Sequence, residues 1–370
     1  MIRWSSIRRQ CDAPTMNVLQ ICHDAKGPFV DICRQYARAF PIDRVTTVYL
    51  CGANDQTVAH ETGGDQVLFF ELDSSSLRGI KWTALTRLAA VMHEGKFDVV
   101  IAHRYKCIYL AGVLSYLYRP RALLGVVHEH KVFQRPTRSL FVRFWCRHLR
   151  LVAVSNSVAR DIERFCGALS ERLFIMHHAA REDLVDALLD RKEARTALEL
   201  SVSGLALVCI GRLVHKKNHR LLLDALHQVP DDIHLSIIGD GPLRPSLEAQ
   251  VEQLGLSERV VFHGHKPSAS RYLKAFDGLV LASGHEEAFG MVLLEGGAAE
   301  LPVLCSNAGG PSELGIADLL FESGNASSLA AEIMKLNHVI PQSADERLRN
   351  FTPDVFARRM SEVMNSVIIG

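Results

Sequence analysis

Short runs of β-branched and aliphatic residues alternate along the chain with segments long enough for a helix, a rhythm that predicts parallel sheets covered by helices. In the first half the runs at 17–23, 45–52, 67–72, 98–103, 123–130, 151–155 and 173–178 read as strands. Runs at 205–213, 234–242, 259–264, 278–283 and 302–306 continue the pattern in the second half. Several of them end in a histidine or another polar residue, and open α/β sheets bind ligands outside the carboxyl ends of their strands. A polar stretch at 190–204 separates the halves, which predicts two Rossmann-like domains joined by a linker near 184–195. The expected division is 16–183 for the first domain and 184–350 for the second. A last segment, 351–370, is expected to cross back to the first domain, with a helix opened by Thr352 and Pro353.

Composition adds bounds. A chain of 370 residues that is 48% hydrophobic can build two ordinary domains. Its 42 basic residues nearly balance 41 acidic ones, and a net charge of +1 gives no general pull toward nucleic acid or membrane. Any basic site must be local. Nine cysteines are scattered without a CxxC spacing, which argues against a disulfide framework and a zinc cage and for small core residues in a reducing compartment. The apolar runs are strand-sized, so no transmembrane helix is expected. Residues 1–15 carry arginines but no signal-peptide core; they read as a disordered lead, with Met16 as an alternative start. The expected location is the cytoplasm.

Candidate chemistry gathers in the second half. Arg212 and Lys217 fall in the turn between a strand and the following helix, where unpaired NH groups and two cations suit a diphosphate. A solvated turn is the competing reading. Glu287 and Glu295 flank a short apolar run. On one continuous helix they would lie roughly 12 Å apart along the axis and about 80° apart around it, too far to share a proton or a metal. With the helix starting near Phe289 or Gly290, Glu287 sits at its mouth and Glu295 inside it, an arrangement for an extended ligand with hydroxylated ends and phosphates between. A charge cap at Glu287 and a surface role for Glu295 explain the same spacing.

The ordered set GRLVHKKN (211–218), GDGPL (239–243), EEAFGMVLLE (286–295) with LPVL (301–304), and AGGPSELG (308–315) resembles the retaining glycosyltransferases of family 4, the glycosyl transferases group 1. The resemblance implies the GT-B fold, an α/β architecture of two Rossmann-like domains whose parallel sheets face a central cleft. It implies that Arg212 and Lys217 hold the diphosphate of a nucleotide-sugar donor and stabilise charge on the leaving nucleotide. It assigns Glu295 to the ribose, Glu287 to the donor sugar, and the backbone of Phe289, Gly290 and Met291 to the phosphate or sugar. His128 takes the place of the family histidine at the donor sugar, with His130 as the alternative. No paired-acid motif of the DxD kind lies nearby, and the resemblance implies neither metal nor cofactor. Three positions depart from the pattern: Asn218 and Glu300 replace glycines, and the first loop keeps only Gly27 of a glycine pair as a donor contact. A left-handed backbone at Glu300 would cost about 1 kcal/mol.

From Arg104 to Arg150 the only acid is Glu129, and the basic residues are densest from Arg135 through Arg138, Arg143 and Arg147 to Arg150. On a helix, Leu140, Phe144 and either Phe141 or Trp145 share one side. Such a helix can lie on an anionic membrane surface or turn an aromatic stripe to the core; no nucleic-acid reading motif accompanies it, and none is expected as partner. The expected function is transfer of a sugar to a lipid-linked or surface-polysaccharide acceptor such as a lipopolysaccharide core, by a protein peripherally associated with the inner face of the cytoplasmic membrane. A sugar-nucleotide epimerase on the same fold and a non-catalytic nucleotide-sugar binder are the alternatives.

Overall fold

The computed structural model describes residues 15–369, apart from Ser74, Ile80 and Ser170. All but one residue of the expected lead thus lies outside the described residues. Thirteen strands form two sheets among the described residues. The first contains β1 (Asn17–Cys22), β2 (Arg44–Tyr49), β3 (Gln66–Phe69), β4 (Val99–His103), β5 (Ala122–Val127), β6 (Arg150–Ala153) and β7 (Leu173–Ile175), in the order β3-β2-β1-β4-β5-β6-β7. The second contains β8 (Leu205–Ile210), β9 (Ile233–Ile238), β10 (Val260–Gly264), β11 (Gly278–Leu281), β12 (Val303–Ser306) and β13 (Leu319–Phe321), in the order β10-β9-β8-β11-β12-β13. The strand pairs β1–β2, β1–β4, β8–β9 and β8–β11 are parallel, and each sheet has the doubly wound order of a Rossmann fold.

By compactness the chain forms two units, residues up to Gly125 with those from Met364 onward, and Val126–Val363. The core of the second unit is built from the strand side chains Leu207, Leu235, Ile237, Val280 and Leu304 under Leu222, Leu223 and Leu226 of the helix His219–Leu226. Aspartates fasten the strand entrances: Asp277 accepts from the backbone of Ala206, and Asp318 accepts from that of Val303.

Every strand expected from the apolar runs is present, but several are shorter. β5 stops at Val127 and β7 at Ile175, so His128, His130, His177 and His178 stand in the turns beyond the strands, not within them. β13 is additional; its three residues are too few to show a period. Residues 136–145 form a five-residue α-helix, Pro136–Leu140, running into a π-helical turn, Phe141–Trp145. Arg172 donates to the carbonyls of Val142 and Arg147 and so closes that turn. Val142 is buried, whereas Leu140, Phe144 and Trp145 are exposed, Trp145 at 67%. The aromatic side chains therefore do not form a core stripe.

Glu300, between the helix Met291–Ala298 and β12, has φ +55 and accepts a hydrogen bond from the backbone of Ala344 at 3.0 Å. Glu300→Ala keeps the left-handed backbone and loses the bond, and should lower unfolding free energy by about 1 kcal/mol. Glu300→Gly loses the same bond but relieves about 1 kcal/mol of backbone strain, so urea denaturation should find it close to the parent and above the alanine variant.

Candidate functional site

The order of the second sheet reverses between β8 and β11, so the loops leaving their carboxyl ends open onto one crevice. After β8 the chain passes exposed Arg212, makes a single 3-10 turn at His215–Lys217, and enters the helix His219–Leu226 through Asn218 at φ +53. Asparagine thus adopts the left-handed geometry that a glycine usually supplies. Lys217 is directed by this turn at the loop after β11, where its Nζ donates to Glu287 Oε2 at 2.6 Å.

Glu287 is only 8% exposed. Burial by itself would push its carboxyl up; the charge and hydrogen bond of Lys217, with the charge of Lys216, outweigh that and hold it below its ordinary value of 4.5. The Glu287 carboxyl is therefore ionised at neutral pH. The helix Met291–Ala298 starts after Gly290, which has φ +83. Glu287 lies in the loop before it, and half-buried Glu295 is the fifth helical residue. The two carboxylates are separated as the spacing predicts, one at the mouth and one inside.

The glycine pair downstream locks this loop. Gly310 N–H donates to the carbonyl of Glu287 at 2.9 Å, and a Cβ on Gly310 would stand 1.9 Å from the carbonyl oxygen of Ala288. No side chain fits there.

Phe289 is buried, and its ring meets the edge of His178 at 5.0 Å between centroids. His178 stacks flat on His128 at 5.3 Å, so His128 is tied to the Phe289 loop through a second histidine. Burial, with His177 beside it, takes His178 down to about 3, and it is neutral near pH 7. His130 reaches the same loop differently: its Nδ1 lies 3.4 Å from the carbonyl of Glu286 and its Nε2 3.1 Å from the hydroxyl of Ser157. Lys131 Nζ donates to Glu286 at 2.5 Å.

The second unit thus brings Lys217, Glu287, Phe289, Gly290, Met291 and both histidines to one loop region, with Arg212 exposed beside it and Glu295 in the helix. Gly27 belongs to the first unit, in the turn after β1 at φ +61. Sequence reading missed two residues. His178 ends an apolar run and was legible only as a strand end. Glu313, in a turn, accepts from the backbone N–H of Ser157 at 3.0 Å and pairs with Arg160; the acid stood in a quoted motif, but its partners lie more than 150 residues away. Among the described residues no group of three or more His, Cys, Asp or Glu side chains is placed to hold a metal ion.

Removing Lys217 strands a buried carboxylate. Lys217→Ala should cost about 3 kcal/mol at pH 7. A carboxylate with a depressed folded pKa contributes stability above its unfolded value and loses it as pH falls through the folded one. In the variant only the charge of Lys216 and the hydroxyl of Ser283 still oppose burial, the folded pKa rises, and protonation restores stability on acidification. The gap between parent and variant should therefore narrow from pH 7 to pH 4 in urea denaturation; a constant gap would contradict an ionised, paired Glu287.

Family comparisons agree with this geometry. The model for Glycosyl transferases group 1 matches residues 190–349, and that for Glycosyltransferase Family 4 matches 32–181. A lipopolysaccharide core biosynthesis glycosyltransferase, LpsD of Rhizobium meliloti, is 34% identical over 172 residues, 46% of this chain and 49% of its own length. The chain thus spans about half the length of that relative. The 2-deoxystreptamine N-acetyl-D-glucosaminyltransferase of Niallia circulans is 23% identical over 322 residues, 78% of each chain. Anabaena HepE, solved in complex with UDP and glucose, superposes with a TM-score of 0.79 at 19% identity, covering 95% of this chain and 100% of HepE. WaaG, a glycosyltransferase involved in lipopolysaccharide biosynthesis, superposes at 0.66 and 16% identity over 94% of this chain and 99% of its own. With the two family models together covering most of residues 32–349 and the fold shared with solved glycosyltransferases, the chain belongs to the GT-B glycosyltransferases of family 4.

Proposed function

We propose that this chain is a retaining hexosyltransferase that moves a sugar from a nucleotide diphosphate to a lipid-linked or cell-surface polysaccharide acceptor, with a lipopolysaccharide core as the leading case. The observation that carries the reading is the buried Lys217–Glu287 pair at the mouth of the helix Met291–Ala298. Breaking the bond between the anomeric carbon and the diphosphate oxygen puts positive character on the sugar and negative charge on the phosphate. Lys217 and Arg212 are the cations that meet the phosphate, and no bound metal is needed for that task. Glu287, kept ionised beside the sugar, accepts from its hydroxyls and favours the cationic transition state. Glu295 accepts from the ribose hydroxyls, and the backbone of Phe289, Gly290 and Met291 lies at the phosphate or sugar. His128, stacked on neutral His178, contacts the donor sugar.

Relatives that include lipopolysaccharide core transferases support the acceptor class. Exposed Leu140, Phe144 and Trp145 beside exposed Arg135, Arg143 and Arg147 support peripheral contact with an anionic membrane on the cytoplasmic side. No described helix is long and apolar enough to cross a membrane.

Thermal shift and slow donor hydrolysis against UDP-glucose, UDP-N-acetylglucosamine, UDP-galactose and GDP-mannose test the donor half. One donor should stabilise the parent and not Lys217→Ala, and Arg212→Ala should slow hydrolysis by about a hundredfold to a thousandfold. If no nucleotide sugar binds, the transferase reading falls. For the membrane half, sedimentation with phosphatidylglycerol vesicles should exceed that with phosphatidylcholine, and losing Arg143 and Arg147 together should weaken it by about 2 kcal/mol. Equal binding to both vesicles would count against the membrane contact.

A further inference from the structure

The first sheet reverses its strand order between β1 and β4, as the second does between β8 and β11, so it has a switch point of its own. The loops leaving the carboxyl ends of β1 and β4 are polar. One carries His23, Asp24 and Lys26, the other Arg104 and Lys106. His23 Nδ1 is 3.1 Å from Asp24 Oδ2, Lys106 Nζ is 3.3 Å from His23 Nε2, and an Arg104 terminal nitrogen is 3.5 Å from Asp24 Oδ2. An ammonium only donates, so at this contact Lys106 takes the lone pair of His23 Nε2 as its acceptor.

Charge at the cluster is therefore unbalanced. The cluster sets Lys26, Arg104 and Lys106 against the single carboxylate of Asp24, which Arg104 approaches with its guanidinium and Lys26 with its backbone N–H, while exposed Asp73 is held by Ser75 and Ser76. Half-buried Lys106 has a ring nitrogen of His23 as partner and pairs with no described carboxylate. Arg104 lies 4.0 Å over the Phe29 ring, its Nε is buried without a partner, and its backbone has φ +68. A purely structural ion pair needs neither an unmatched ammonium nor a left-handed arginine.

We propose that this switch point is a phosphoryl-binding subsite, in which Lys106 and Arg104 grip a phosphate group and Lys26 closes the rim. Its role in turnover rests on the transferase reading, with the phosphate coming from a phosphorylated acceptor sugar or from the donor's diphosphate. Cys51 is a built-in reporter. Its backbone N–H donates to the carbonyl of His23 at 2.8 Å, and it is the one described cysteine that is not fully buried.

The test is the rate of iodoacetamide labelling at Cys51 in the full chain, read by peptide mass spectrometry, with inorganic phosphate, glucose 6-phosphate or UDP against chloride of equal ionic strength. At a ligand concentration twice Kd, labelling should slow about threefold. Lys106→Gln should abolish the protection, as should Arg104→Gly, which suits the left-handed backbone and keeps the fold. Lys217→Ala, in the other sheet's loop, should retain the protection given by inorganic phosphate or glucose 6-phosphate. Protection by phosphate or glucose 6-phosphate, and not by UDP, assigns the subsite to the acceptor; protection by UDP alone assigns it to the donor. If no phosphate compound protects Cys51, if chloride does so equally, or if both variants remain protected, the subsite is refuted. Donor thermal shift is read separately: Cys51 protection without any donor response would sink the transferase reading and leave the subsite standing.

Discussion

A carboxylate and a lysine meet at 2.6 Å in the loops that leave β8 and β11, and the buried carboxylate would not tolerate its place alone. Lys217 reaches Glu287 across 70 residues of chain because the two strands that deliver them are neighbours in the second sheet. Each end is fixed by backbone. Asn218 bends left-handed to aim the lysine, and Gly310 closes against the carbonyls of Glu287 and Ala288 to hold the glutamate. The start of the helix Met291–Ala298, the placing of Phe289 and the contact of that ring with the histidines all follow from this clamped loop.

Such a loop arrives at its task already organised. On the proposed reading, a donor diphosphate entering the crevice would find the cations set in position, and little reorganisation would remain for the moment at which charge develops. The aromatic layer behind the loop serves the same end. His178 is flat against His128 and edge-on to Phe289, and its burial keeps it neutral, so it fills space between them without adding charge beside Glu287.

The two sheets share a topology and differ in what they place at the reversal. In the second, Lys217 is paired directly with a buried acid, and glycines bring backbone close. In the first, cations outnumber the acid that faces them, and an arginine occupies a backbone region that favours glycine. One architecture thus offers two crevices of different electrostatic character.

Strand rhythm, the reversal of apolar and polar segments, and the E-x7-E spacing were legible in the chain itself, because each depends on residues near one another in sequence. The two-sheet architecture and the separation of Glu287 from Glu295 follow from that local information. Where strands stop was not legible: hydrophobicity continues past Val127 and Ile175, but the ladder ends there, and this moved His128 and His178 into turns where their rings can stack. The outward face of Phe144 and Trp145 was equally hidden, since a π-helical turn changes which residues share a side. Polar pairing was decided by tertiary structure alone. Lys217 with Glu287, Glu313 with Arg160 and Lys106 with His23 join residues 70 or more positions apart, and only the fold determines which of these groups become neighbours.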